Sequence, residues 1–440
     1  MKIKNWLIVY ALLFLGGITA LAQNNVDFDE YFENKTLRLD YLRQGCKKHD
    51  TCIAQHWLIQ NSNMWAGSLT QLLDPINNGE YRLLVKDYDT GHELYSRCYN
   101  TLFEEYRETI ASRDKDSIAT FEEVMLMPLP KKKAYVCLQK RDSNDNFETA
   151  TLLLFDPSTY RPVAMPAAKK SIPLHVNGDS HKKIDIVIVA EGYGKKDKKK
   201  MEKDFKLFTK YLLAQEPFKS RATDFNVWGI GELAKESGVT DPNAGRYVES
   251  AVGSSYDIFG MDRYFMTTQL FKLHNLIREV PYDHIIIMAN CDTYGGGAIY
   301  NYYAFSAVLK EWSMWILPHE LGHSIGGLAD EYVEDDPNYN KRYGNREPLE
   351  PNITTLHHFD SKWADMVEKG TPIPTKPVEG LGKRDNGPVG AYEGGGYLAK
   401  GVYRPCTKCM MRDYANFCPV CKKRMNEVFE RFLADEEAEK

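Results

Sequence analysis

The sequence predicts an α/β (α+β) domain with a mixed sheet, preceded by an all-β sandwich domain. Three observations predict it. The first third carries short, partly alternating apolar segments; the remainder carries near-continuous apolar strands alternating with amphipathic helix; a proline-marked break separates them. A length of 440 residues exceeds one ordinary domain and suits two. Hydrophobic content of 43% with 27% charged residues belongs to a globular protein. The formal net charge of −5 argues against a dedicated nucleic-acid binder. No internal stretch approaches about 18 consecutive apolar residues, so the mature protein is not expected to span a membrane.

Residues 1–22 read as a secretory signal peptide. Lys2 and Lys4 form its positive region, Trp6 to Leu15 its apolar core, and Ala20-Leu21-Ala22 a small-residue cleavage site. The mature chain is therefore expected to begin near Gln23, in a secreted or periplasmic setting where disulfides persist. Nine cysteines is an odd number, so at least one is free, metal-bound or paired between chains.

Residues 23–157 read as the sandwich domain. Leu37 to Leu42, Tyr81 to Val85, Ala134 to Leu138 and Thr149 to Phe155 are strand-like, while Tyr95 to Ser112 has helical character. His49, His56 and His92 are scattered and form no constellation. Residues 158–181, carrying Pro162, Pro166 and Pro173, read as a linker. The second domain is assigned to 182–440. Within it Ile184 to Ala190, Phe225 to Ile230 and His284 to Ala289 are apolar strands, and 195–213 is a helix with Met201, Phe205, Phe208 and Leu212 on one face. The lysine run 195–200 is the solvated start of that helix, since acidic residues interrupt it. Tyr294 to Tyr300, with Gly295, Gly296 and Gly297, suits an edge strand that another backbone can approach closely; a plain glycine turn fits the same residues.

The chemistry centres on His319-Glu-Leu-Gly-His323. On a helix, residues four apart share a face, so both imidazoles can address one ion. Zinc takes such nitrogens and leaves a position open for water in a catalytic site. Glu320, beside the first histidine, can accept that water's proton as general base and pass it to the leaving amine. One catalytic Zn2+ is thus expected. The metzincin pattern H-E-x-x-H-x-x-G-x-x-H is matched at Gly326 but has Ala329 in place of its third histidine. Asp330 is the nearest carboxylate and the expected third ligand, with Glu331 in reserve. Tyr392, Tyr403 and Tyr414 are candidates to stabilise the oxyanion. Near the C-terminus, Cys406-x-x-Cys409 and Cys418-x-x-Cys421 favour at least one disulfide over a structural metal, given the oxidising setting. They bracket Met410-Met411, which can supply a methionine turn under the metal.

The stretch His319-Glu-Leu-Gly-His-Ser-Ile-Gly-Gly-Leu-Ala-Asp-Glu-Tyr332 resembles the zinc helix of the bacterial IgA-peptidase family of metalloendopeptidases. Glu236-Ser-Gly, Asp262-Arg-Tyr, Pro281-Tyr-Asp, Tyr294-Gly-Gly-Gly, Glu393-Gly-Gly-Gly-Tyr, Gly401-Val-Tyr-Arg-Pro, Met411-Arg and Phe417-Cys-Pro-Val-Cys421 extend the resemblance over most of 180–425. It implies a metzincin-like domain with zinc on His319 and His323, Asp330 completing the set, Glu320 as base and Met411 in the methionine turn. The substrate implied is a protein or peptide, a host glycoprotein such as an immunoglobulin among the candidates; cleavage of immunoglobulin A belongs to a founding member. Cys406 departs from the family's tail and leaves the pairing of the cysteines open. Two rival readings are a non-catalytic zinc-containing protein that binds a glycan or protein, and a zinc amidase.

Overall fold

The computed structural model describes residues 26–437, apart from 62–63, 110–113, 115, 161–164, 166–168, 263, 310–311, 335–342, 344–345 and 414. The expected leader, 1–22, lies outside the described residues.

Two antiparallel sheets occupy the N-terminal part. One runs β2-β1-β5, from β1 (Phe32–Gly45), β2 (Asp50–Asn61) and β5 (Ala119–Pro130). The other runs β4-β3-β6-β7, from β3 (Tyr81–Asp87), β4 (Glu93–Tyr99), β6 (Ala134–Arg141) and β7 (Phe147–Phe155). Because side chains alternate across a strand, Leu37, Leu39 and Tyr41 of β1 all face one way. They share a core with Tyr81, Leu83 and Val85 of β3 and Val136 and Leu138 of β6. The Tyr95 to Ser112 stretch divides between β4 and a helix at Leu102–Glu108, whose start Thr101 caps through its side chain.

The second part is built on a six-stranded mixed sheet, β12-β13-β11-β9-β10-β8. Its strands are β8 (Ile172–His175), β9 (Ile184–Glu191), β10 (Phe225–Gly231), β11 (His284–Ala289), β12 (Gly296–Ile299) and β13 (Tyr303–Ala307). The four inner strands pair in parallel, and β8 and β12 close the two edges antiparallel. Every residue of β9 and β11 is buried, which is why both read as unbroken apolar runs. β8 lies within the segment expected to be a plain linker. Its Pro173 is tolerated because an edge strand leaves one side unpaired.

One face of this sheet, presenting Ile186, Ile188 and Ala190, packs against the Lys198–Leu212 helix, the Ser313–Ser324 helix and the C-terminal helix Pro419–Glu437. The other face, presenting Val187, Val189, Ile285 and Ile287, packs against Leu270 and Leu273, and against Phe103, Phe121 and Val124 from the N-terminal part. The two parts therefore share a core. A buried ion pair between Asp74 and Arg431, 3.1 Å apart, ties them further. Among the described residues no helix is long and apolar enough to cross a membrane.

Candidate metal centre

The Ser313–Ser324 helix follows β13, the strand beside the edge strand β12, and carries His319, Glu320 and His323. It ends where Gly327 adopts a left-handed conformation, with φ of 60°. The left-handed residue is thus Gly327, one position after the glycine of the motif. The chain then doubles back as an extended segment that brings Asp330 beneath the histidines.

His319 Nε2, His323 Nε2 and Asp330 Oδ1 form a nearly equilateral triangle, with edges of 3.2, 3.1 and 3.3 Å. Four tetrahedral donors at about 2.0 Å from an ion stand about 3.3 Å apart, so the triangle has the dimensions of one face of such a shell. The far nitrogens fix the tautomers. His319 Nδ1 donates to the Met410 carbonyl at 3.1 Å, and His323 Nδ1 to the Leu328 carbonyl at 2.7 Å. Both Nε2 atoms are then left with lone pairs, which is the form that binds a metal. Asp330 Oδ1 is buried and receives no hydrogen bond. Three acceptors facing one another inside a protein demand positive charge between them, supplied by a metal ion or, in its absence, by a proton on an imidazole. The same demand appears in the protonation equilibria. Burial alone would push His323 down, yet Asp330 outweighs it and lifts the imidazole to about 9. Burial would raise Asp330, and the histidines instead hold it well below the usual carboxylate range. The residues fit a divalent metal.

Behind this triangle stand groups far away in sequence. Tyr397 donates its hydroxyl to Asp330 Oδ2. It sits in the turn between β14 (Tyr392–Gly395) and β15 (Leu398–Arg404), itself left-handed at φ 68°. A tyrosine held in that conformation is strained, and the turn is anchored by Gly396 N on the Asp330 carbonyl at 2.8 Å. Asn352 holds both the N–H and the carbonyl of Ala329. Met411 lies under the helix at Gly322, where any Cβ would collide with its sulfur. The glycine inside the histidine motif is there because Met411 needs the space.

Glu320 is 6% exposed, and burial raises its carboxyl while the two histidines oppose the shift. It faces Gly296 of β12, where a Cβ would collide with Glu320 Oε1. Gly295 and Gly297 are equally confined, by the Tyr256 ring at 2.7 Å and Met266 Sδ at 2.8 Å. The glycine-rich segment is therefore the edge strand rather than a plain turn, and it lies against Glu320. The outer side of Gly296 is bridged by Tyr264. Glu191, at the end of β9, organises the neighbouring loop by accepting hydrogen bonds from Ser250, Val252 and Ser254.

Other expected residues fall elsewhere. Glu331, the reserve ligand, points away from the histidines, because successive residues of an extended chain face opposite sides. Its side chain joins Cys409, Cys418 and Cys421 in a second buried group. None of the nine cysteines is paired in a disulfide in this structure; Cys409 and Cys421 sulfurs stand 3.7 Å apart, beyond bonding distance. Tyr392 gives its hydroxyl to the Pro388 carbonyl, and Tyr414 lies outside the described residues. Tyr397 is the tyrosine on the metal-binding triangle. The Glu393-Gly-Gly-Gly-Tyr397 run was its visible signal. His49, His56 and His92 are exposed and apart from the centre.

No curated protein matches the chain. A family model described as IgA Peptidase M64 matches residues 172–384 and 381–429, and one described as Peptidase M64 N-terminus matches 27–151. The chain belongs to the IgA peptidase M64 family, a family of metallopeptidases.

Proposed function

We propose that the protein is a secreted zinc endopeptidase in which His319, His323 and Asp330 hold the ion and Glu320 is the general base. The observation that carries this reading is the triangle of three lone-pair donors beside a buried carboxylate. Zinc, when bound there, supplies Lewis acidity and draws the pKa of water down towards about 7. Glu320 takes the proton of the attacking water, and burial, which raises its carboxyl, suits it to hold that proton and release it to the leaving amine. Partial exposure of the histidine side chains, 22% and 17%, leaves one side of the triangle open to substrate. An extended peptide would pass Gly295 to Gly297 on its way to Glu320, alongside the Tyr264 bridge that already occupies the outer side of Gly296. Tyr397 orients Asp330, and Met411 supports the helix floor in the manner of a methionine turn, in keeping with a metzincin-like domain. Secretion is supported by the leader read at 1–22, and the reading carries with it a sandwich unit at 23–157 and a catalytic unit from 182 onward.

The test is cleavage of a mixed protein panel, immunoglobulin A included, by the purified chain and by Asp330→Ala. The parent should cleave and hold zinc; the variant should lose both. Cleavage by the metal-free variant would contradict the ligand assignment.

A further inference from the structure

We infer that the chain holds a second metal ion, structural in role, on the sulfurs of Cys409, Cys418 and Cys421 and the carboxylate of Glu331. Their donor atoms all lie within 4.8 Å of one another, and all four residues are buried. Cys409 and Cys421 sulfurs are 3.7 Å apart, and Cys421 Sγ is 3.4 Å from Glu331 Oε1. Around a tetrahedral ion with bonds of about 2.3 Å to sulfur and about 2.0 Å to oxygen, those edges would be about 3.8 and 3.5 Å. Cys406 is also buried but stands outside this four-donor group.

The electrostatics point the same way. Glu331 is completely buried, and its Oε2 has no hydrogen-bond partner. Its Oε1 accepts from Asn352 at 2.9 Å. Arg404 is the cation in the neighbourhood, yet its Nη1 is committed to the carbonyls of Glu393 and Gly394 at 2.7 and 2.6 Å. Among the described residues Glu331 forms no ion pair. A buried carboxylate without a counter-ion is costly, and buried charges are either paired or bound to metal. The sulfurs are also placed as acceptors. Cys418 N points at Cys409 Sγ at 3.4 Å and Cys421 N at Cys418 Sγ at 3.5 Å, at the start of the Pro419–Glu437 helix.

A disulfide resolves less. Joining Cys409 to Cys421 requires the sulfurs to close from 3.7 to about 2.05 Å. It would leave Cys418 and the Glu331 carboxylate without a counter-ion. A zinc-class ion satisfies all four groups at once, since thiolates select it over harder cations.

The site also explains how the first centre is held. Asp330 and Glu331 are consecutive and face opposite ways, one to each cluster. Glu331 N donates to the Met411 carbonyl at 2.7 Å, and the Met410 carbonyl accepts from His319. An ion on Cys409 would fix the turn that positions both methionines, and so fix His319.

The experiment is metal quantification with X-ray absorption on the full chain and on a His319→Ala/His323→Ala variant. The parent should carry two ions per chain. The histidine variant should keep one, with a sulfur shell at about 2.3 Å. Adding Cys418→Ser and Cys421→Ser should remove that ion, and if this form does not fold the parent and the histidine variant still decide. Parent and histidine variant sharing one sulfur-bound ion would support this site while counting against the first. An ion count of one or none in the parent with no sulfur scattering would overturn the inference. So would an unreduced, denatured mass lower by two hydrogens, with the bond mapped to Cys409, Cys418 or Cys421.

Discussion

Tyr397, Asp330 and Glu320 illustrate how single side chains divide the work of the centre. Tyr397 acts through Asp330 Oδ2, the oxygen that the histidines do not face. Groups of this kind typically account for about 10–100-fold in metal affinity or activity. Tyr397→Phe is expected to weaken zinc binding by about that range, measured by competition with a chelator. Unchanged affinity would mean that the hydroxyl only braces the turn. Neither Tyr397 nor Asn352 was accessible from the motif, because the chain brings them in from 67 and 23 positions away respectively. The place of Asp330 beside the histidines was accessible, since a chain leaving a helix at Gly326-Gly327 returns within a few residues. The sequence ranked Asp330 ahead of Glu331 by nearness, and the structure adds the direction of each side chain, which spacing alone does not supply.

At the scale of elements, the Ser313–Ser324 helix and strand β12 are placed by two glycines. Gly322 admits Met411, and Gly296 admits Glu320. Overpacking of this sort costs about 1–3 kcal/mol. Gly322→Ala should lower thermal stability by that amount and weaken zinc retention together, since Met410 and Met411 share one turn. Gly296→Ala should leave zinc in place and cut peptide cleavage, because the methyl displaces the Glu320 carboxylate. Full activity with Gly296→Ala would detach β12 from the site. Legibility follows burial. Strands β9 and β11, covered on both faces, stood out as apolar runs. Strand β2 did not, because much of its surface is exposed and its pattern reads as polar. Strand β8 is four residues long with a proline, so it resembled a connection. The helical reading of Tyr95 to Ser112 failed in its first half, where aromatic residues of β4 fill the sandwich core.

Across the whole molecule, the N-terminal part covers one face of the six-stranded sheet. Phe103, Phe121 and Val124 cover the β9 and β11 face, and Asp74 meets Arg431 of the last helix with both side chains almost fully buried. Removing one partner of a buried pair strands the other charge and costs about 3–5 kcal/mol. Arg431→Met should therefore lower the melting temperature while calorimetry still records a single transition. Two separated transitions would show that the parts fold independently. The central claim concerns the reaction, and one paired measurement tests it most directly: zinc content and peptide cleavage of the parent beside Glu320→Ala. The expected result is equal zinc in both and cleavage by the parent alone, with the variant slower by at least about 100-fold, the low end of what a general base contributes. Cleavage by the variant at the parent's rate, or zinc missing from both, would contradict it.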